Sequence, residues 1–246
     1  MRFFIEFSYK GTNYHGWQIQ PNANTIQSEI NNALSTILHI NIDVMGAGRT
    51  DAGVHAKQMF AHFNCDIDFD SQDLIFKLNR LLPVDIVIHD IFRVRDDANC
   101  RFDALSRTYQ YHIIQKKNPF NNNAYLLQKV LDIEAMNEAC KYMLGNQDFT
   151  SFSKVNTQTF TNNCNVMLAK WEVVNNEIVF TIKANRFLRN MVRAITGTLL
   201  DVGLSKIEAN EVAKIIAAQD RAKAGTSLPS HALFLISVQY PNDIRI

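Results

Sequence analysis

The stretch VMLAKWEVVNNEIVFTIKA, residues 166–184, holds two runs of apolar and β-branched residues separated by Asn175 and Asn176. Valine, isoleucine, phenylalanine and tryptophan are enriched in strands. A pair of asparagines between two such runs is typical of a tight β-hairpin turn. The stretch therefore predicts two antiparallel strands at the centre of the second half of the chain.

Further elements are predicted on both sides of this hairpin. Asp132 is placed to cap a helix, and Gly145 follows its last turn. Apolar residues at helical or alternating spacing mark the remaining elements. In chain order the second half is expected to contain a strand at 106–115, a helix at 132–145, the hairpin, a helix at 186–203, a second helix at 208–219 and a strand at 232–240.

The first half has a similar order of elements. Its first helix can be capped by Asn24 or Thr25, and Asn24 with Gln27 resembles a capping box. Its second helix starts at Ser71 and is stopped by Pro83. The predicted elements are a strand at 2–9, a helix at 24–38, strands at 42–45 and 56–65, a helix at 71–82 and a strand at 84–94.

Each half is thus predicted to have the order β-α-β-β-α-β, which is the ferredoxin-like pattern shared by RRM modules. The second half carries one extra helix. We expect an α+β protein with helices packed on antiparallel sheets. The boundary is expected near residues 98–106, giving an N-terminal half at 1–103 and a C-terminal half at 104–246.

Composition favours a cytoplasmic globular protein. The chain has 246 residues, 47% of them hydrophobic, and a net charge of +1. No apolar run approaches the roughly 18–20 residues that span a bilayer, and the N-terminus lacks the features of a signal peptide. The four cysteines are scattered, which favours reduced thiols over disulfides or a structural zinc site.

The polar stretch GAGRTDAGVH, residues 46–55, is the strongest candidate for chemistry. It could be an ordinary turn in which Gly46, Gly48 and Gly53 adopt positive φ. A phosphate loop fits poorly, because no P-loop pattern is present. A metal site built from Asp51 and nearby histidines ranks below the other readings, and His55 and His62 are expected to be structural.

A functional reading of this stretch uses Arg49 and Asp51 together. Residues two apart share a face in extended backbone. An arginine can keep a neighbouring carboxylate ionised, and an ionised carboxylate can act as a nucleophile or a base.

Four motifs together resemble the TruA family of tRNA pseudouridine synthases. They lie in the family's order over nearly the whole chain. They are YKGTNYHGWQIQ at 9–20, GRTDAGVHA at 48–56, RFDALSRTYQYHI at 101–113 and NRFLRNMVRAITGTLLDVG at 185–203.

The resemblance implies a pseudouridine synthase fold in which the two halves form a central catalytic cleft. It implies that Asp51 is the catalytic aspartate and that Arg193 pairs with its carboxylate. It also implies that Tyr109 packs against the target uracil and that Arg49 helps to expel the base. The implied reaction is isomerisation of uridine to pseudouridine at tRNA positions 38, 39 and 40 by a homodimer.

The residue types suit that reaction. The target uridine must leave its stack, and the site then needs one ionised carboxylate, an aromatic partner and donors for developing charge. No redox step or group transfer occurs, so neither a cofactor nor a metal is expected. Whether Asp51 attacks the sugar, attacks the base or removes a proton stays open.

Each of these residues also has a simpler interpretation. Tyr109 could be a packing residue, as most half-buried strand tyrosines are. Arg186, Arg189 and Arg193 would form one stripe on the predicted helix, and such a stripe is usually a solvated face. In the motif at 9–20, Trp17 is expected to pack in the core.

A second class of function is a non-catalytic RNA-binding module with duplicated RRM-like halves. No RNP1-type aromatic run supports it, and it would leave Asp51 and its arginines without a role. Two segments depart from the family pattern: ANCR at 98–101 and LPSHALFL at 228–235. They bear on loop geometry and RNA contacts.

Overall fold

The computed structural model describes residues 1–154 and 160–246. These residues form two compact units. The first unit contains Met1–Leu105 together with Leu235–Ile246, and the second contains Ser106–Phe234. The C-terminal residues from Leu235 onward therefore belong with the first unit, whereas the sequence had placed them in the second half.

The first unit has the predicted β-α-β-β-α-β order. Its strands β4, β1 and β3 lie side by side and are antiparallel, and the short strand β2 pairs with β3. The elements are β1 (Arg2–Tyr9), α1 (Ile26–Leu38), β2 (Met45–Gly46), β3 (His55–Asn64), α2 (Ser71–Leu81) and β4 (Ile86–Val94).

Both helices of the first unit begin with a side-chain cap. Thr25, one of the two predicted candidates, caps α1 and forms a reciprocal capping box with Ser28, whereas the predicted box paired Asn24 with Gln27. Helix α2 starts at Ser71 as predicted, and Asp70 caps it by accepting from the Asp73 N–H. In both cases the side chain three residues before the receiving N–H makes the cap.

The second unit is built around the predicted hairpin. Its strands lie in the order β5-β9-β8-β7, and β6 adds a short parallel pairing to β5. The elements are β5 (Ser106–Ile114), β6 (Tyr125–Leu126), α3 (Ile133–Lys141), β7 (Gly145–Asp148), β8 (Asn163–Val174), β9 (Glu177–Ala184), α4 (Met191–Gly203) and α5 (Glu211–Ala218).

The hairpin turn is confirmed in detail. Asn175 and Asn176 have φ values of 50° and 65°, and asparagine tolerates this left-handed region better than most residues. Asp132 caps α3 as predicted, by accepting from the Ala135 N–H. Strands β6 and β7 are additions that the sequence did not predict.

The last strand, β10 (Leu233–Gln239), crosses the division between the units, with its part from Leu235 in the first unit. In that unit it lies next to β3. No helix among the described residues is long and apolar enough to cross a membrane.

The cores of the two units are rich in aromatic residues. In the first unit Phe7 is fully buried and stacks on Trp17, with ring centroids 5.5 Å apart. This contact confirms that Trp17 is a core residue. In the second unit Trp171 stacks on Phe180 at 4.9 Å, and α3 packs against β8 and α4.

Candidate active site

Asp51 lies in the segment that joins β2 to β3, residues 47–54, which we call the aspartate loop. Along this loop the Thr50 side chain is buried, Asp51 is half-buried and Arg49 is exposed. The alternation puts Thr50 against the protein and leaves Arg49 and Asp51 accessible, as expected for residues two apart in extended backbone.

A second stretch, residues 9–17, lies directly against the aspartate loop, and we call it the bracing segment. The Trp17 N–H donates to the Thr50 carbonyl at 3.1 Å. The Tyr9 hydroxyl and Thr50 Oγ1 share a buried hydrogen bond of 2.8 Å. Within the loop, the Val54 N–H donates to the Asp51 carbonyl at 3.2 Å. The backbone carbonyls of Thr50 and Asp51 therefore both accept hydrogen bonds.

Two glycines allow this close approach. A Cβ at Gly11 would lie 2.0 Å from the Val54 carbonyl oxygen, and one at Gly16 would lie 2.5 Å from the Thr50 carbonyl oxygen. Gly16 also has φ +89°, a conformation that side chains disfavour. The glycines of the family-like motif at 9–20 are thus explained by contact with the aspartate loop.

The glycines of the loop region itself are less uniform than predicted. Of the three, Gly53 alone has a positive φ, of 80°. Gly46 instead leaves room for Trp17, since a Cβ there would lie 2.5 Å from the indole ring. Gly48 has open space around it.

The two histidines near the loop are buried and hydrogen-bonded to backbone. His55 Nδ1 accepts from the Gly11 N–H at 3.0 Å, and His62 Nδ1 accepts from the Cys100 N–H at 3.3 Å. Burial, aided by the charge of Arg2, lowers the pKa of His62 to about 4. Among the described residues, no three His, Cys, Asp or Glu side chains are grouped so that they could hold a metal ion.

Tyr109 and Arg193 belong to the second unit. Tyr109 lies on β5 opposite Ile182 of β9 and is half-buried. Its ring meets Phe187 edge-on, with centroids 5.1 Å apart and an interplanar angle of 86°. Such a pair contributes about 0.5–1.5 kcal/mol beyond area burial, and it fixes the orientation of the Tyr109 ring.

Arg193 is the third residue of α4 and is partly exposed. Its Nε donates to the Leu228 carbonyl at 2.6 Å, and the Leu228 N–H donates back to the Arg193 carbonyl at 3.2 Å. The backbone of Leu228 therefore helps to orient the planar guanidinium.

The predicted arginine stripe is wrong. Helix α4 begins at Met191, and its N-cap residue Asn190 has φ 67°. Arg186 and Arg189 precede the helix, so they do not share a helical face with Arg193. A left-handed residue at position 190 ends the helical path that the apolar spacing had suggested.

The segment after α5, residues 225–229, packs tightly on α4. A Cβ at Gly197 would lie 1.9 Å from the Thr226 carbonyl oxygen. Ser227 Oγ accepts from Asn190 Nδ2 at 2.6 Å and from Arg221 Nη2 at 2.9 Å. This segment carries Leu228 and so sets the position of the Arg193 partner.

Tyr111 shows that the charge of Arg193 reaches strand β5. Tyr111 is fully buried and donates to the Pro229 carbonyl at 2.9 Å. Burial raises the pKa of Tyr111, and the positive charge of Arg193 opposes that rise. Within the second unit, Arg193 and the strand that bears Tyr109 are therefore neighbours.

Each unit thus carries its own group of predicted site residues, Arg49 and Asp51 in the first and Tyr109 and Arg193 in the second. The sequence did not identify the residues that hold them. The signal for Gly11 and Gly16 was present in the motif at 9–20, but nothing in the sequence paired Tyr9 with Thr50 or Leu228 with Arg193.

Known proteins resemble this chain, and the most similar relatives do so along nearly its whole length. The family model described as tRNA pseudouridine synthase matches residues 139–241. A tRNA pseudouridine synthase A of Parabacteroides distasonis is 52% identical over 247 residues, covering 99% of this chain and 97% of the relative.

More distant relatives agree. The protein of the same name from Porphyromonas gingivalis is 49% identical, covering 99% of this chain and 98% of its own length. That of Caldicellulosiruptor bescii is 38% identical, with 96% and 98% covered. The chain therefore belongs to the tRNA pseudouridine synthase A family.

Proposed function

We propose that this protein converts uridine to pseudouridine in tRNA. The observation that carries the proposal is the identity of about half of all residues, over nearly the full length, with relatives named tRNA pseudouridine synthase A. The aspartate loop supports it, because its backbone is fixed while Asp51 stays accessible.

The reaction is an isomerisation whose atoms balance without a second substrate. The bond from N1 of uracil to C1′ of ribose breaks, the base turns, and a bond forms from C5 to C1′. The proton on C5 is lost and N1 gains one. The chain needs to supply a carboxylate, a partner for the uracil ring and donors for charge that develops during the reaction.

We assign these tasks to four residues. Asp51 supplies the carboxylate and Arg193 is its cationic partner. Tyr109 provides an aromatic ring for the uracil, with its orientation set by Phe187. Arg49, which is exposed on the aspartate loop, stabilises the nucleotide after it has left the stack.

The proposal also covers the modified tRNA positions, the cellular compartment and the oligomeric state. The target uridines are those at positions 38, 39 and 40 of the anticodon stem-loop. The protein acts in the cytoplasm as a homodimer. Sedimentation at several protein concentrations checks the dimer, and mapping of pseudouridine in treated tRNA checks the positions.

The activity is tested with unmodified tRNA that carries tritium at C5 of uracil. The proposal predicts release of tritium into water in the presence of the protein alone. A chelator should leave the rate unchanged once the tRNA is folded. Tight tRNA binding without tritium release would favour the RNA-binding module instead.

A further inference from the structure

The bracing segment makes contacts to the aspartate loop that a simple structural turn does not need. Tyr9 is 5% exposed and lies at the end of β1, where its hydroxyl reaches the side chain of Thr50, which is 9% exposed. Thr50 immediately precedes Asp51. A buried pair of hydroxyls at this point is costly unless each satisfies the other.

The same residue is held a second time through its backbone. The Thr50 carbonyl accepts from the Trp17 N–H, and Gly16 brings the backbone within reach. The peptide that joins Thr50 to Asp51 is therefore fixed through its carbonyl, and the adjacent side chain is fixed through Tyr9.

The far end of the loop is held as well. His55 Nδ1 accepts from the Gly11 N–H, and the Val54 carbonyl lies against Gly11. Both ends of the stretch 50–55 are thus attached to the bracing segment. Asp51 lies between them, and its own carbonyl accepts from Val54.

We infer that Tyr9 is a positioning residue that sets the Asp51 carboxylate through its hydrogen bond to Thr50. This inference rests on the proposed function of Asp51. Regular structure does not fix the loop, because residues 47–54 lie between strands. A displacement of about 1 Å at a reacting group can lower a rate about 100-fold, so a bond that fixes the neighbouring residue affects the chemical step.

The inference separates positioning from binding. Loss of the Tyr9 hydroxyl should slow the chemical step under single-turnover conditions by about 10- to 100-fold. The Kd for tRNA should change less than about 2-fold, because Tyr9 is buried and does not face the RNA. A general loss of folding would lower the active fraction of protein without slowing the rate of the remainder.

The test uses Tyr9→Phe, Thr50→Val and Thr50→Ser in the tritium-release assay at saturating protein. Tyr9→Phe and Thr50→Val each remove one partner of the hydrogen bond with little change in side-chain volume. Thr50→Ser keeps a hydroxyl and should retain most of the wild-type rate. Because the first two variants both break the hydrogen bond between Tyr9 and Thr50, their losses in rate should not add in the double variant.

A matched control is Tyr240→Phe in the same unit. The Tyr240 hydroxyl donates to the Cys100 carbonyl at 2.5 Å, so the variant also loses a hydroxyl hydrogen bond, but one to a residue outside the aspartate loop. It should lower the free energy of unfolding and leave the single-turnover rate unchanged.

Two results would overturn the inference while leaving the proposed function intact. One is a wild-type rate in Tyr9→Phe together with an inactive Asp51→Asn. The other is equal rates in Thr50→Ser and Thr50→Val. Failure of the proposed function is distinct, because then the wild-type protein itself releases no tritium.

Discussion

The aspartate loop and the Arg193 region hold the side chains that we propose for catalysis in different ways. Asp51 lies on a loop between strands, which depends on close backbone contact with a bracing segment far away in sequence. Arg193 lies on a regular helix, and its Nε donates to the Leu228 carbonyl. The first arrangement needs glycine where the two segments touch, whereas in the second a rigid helix carries the side chain.

The largest effect is expected from filling the glycine contacts. Gly11→Ala and Gly197→Ala each place a methyl carbon within 2.0 Å of a backbone oxygen, and backbone cannot move aside as a side chain can. We expect a loss of about 3 kcal/mol in the free energy of unfolding for each variant, measured by urea denaturation.

Gly48→Ala is the control for this pair. Its Cβ would meet open space, so the free energy of unfolding should stay the same or rise by up to about 1 kcal/mol. If Gly11→Ala were as stable as Gly48→Ala, the bracing segment would not be in contact with the loop.

Acid should destabilise the first unit through His62. The folded-state pKa is about 4, against a usual value of 6.5, so folding favours the neutral ring. As pH falls from 6.5 to 4, the unfolded chain takes up a proton that the folded chain does not, and stability is lost. The loss amounts to about 3 kcal/mol.

The measurement is urea denaturation at several pH values for the wild-type protein and for His62→Gln. The variant cannot bind that proton, so its stability should fall less steeply between pH 6.5 and pH 4. Identical slopes for the two proteins would show that His62 does not carry the effect.

Replacing Arg193 tests the orientation of the guanidinium. Arg193→Lys keeps the charge but lacks the planar fork and the Nε–H that binds Leu228. We expect the single-turnover rate to fall about 100-fold, with a much smaller change in tRNA affinity.

Arg80→Lys, on the exposed surface of α2, is the matched control and should keep the wild-type rate. A wild-type rate in Arg193→Lys would mean that positive charge alone is sufficient there. The orientation of the guanidinium would then not matter for the rate.

The smallest effect is expected at Ser227, which is linked to Arg193 only through its neighbour Leu228. Ser227→Ala leaves Asn190 and Arg221 without their shared acceptor and should cost about 1 kcal/mol of unfolding free energy. Ser227 adjoins Leu228, whose carbonyl binds Arg193. The single-turnover rate should therefore fall by a few fold.

Ser35→Ala offers the comparison in the first unit. Its hydroxyl accepts from the Ile42 N–H, so a similar loss of stability is expected with no change in rate. Equal rates in Ser227→Ala and the wild-type protein would show that Arg193 is held without this segment.

Much of the fold was predictable because local patterns carry it. The alternation in β1, the Asp132 cap and the asparagine turn between β8 and β9 are local signals, and the structure confirms each. The start of α4 was not predictable, because a left-handed Asn190 interrupts a continuous apolar pattern.

The candidate site was assigned in a different way. Asp51 and Arg193 were identified through resemblance, while the contacts at Thr50 and Arg193 join residues 41 and 35 positions apart. Such pairs leave no periodic signal in a single sequence. The C-terminal strand illustrates the same limit, since its residues from Leu235 belong with the first unit.

The central claim is that Asp51 supplies the carboxylate for the chemical step. The most direct measurement compares tritium release from C5-labelled tRNA by the wild-type protein and by Asp51→Asn, with tRNA binding measured in parallel. The variant should bind tRNA with nearly wild-type affinity and release no tritium. Tritium release at the wild-type rate by Asp51→Asn would contradict it.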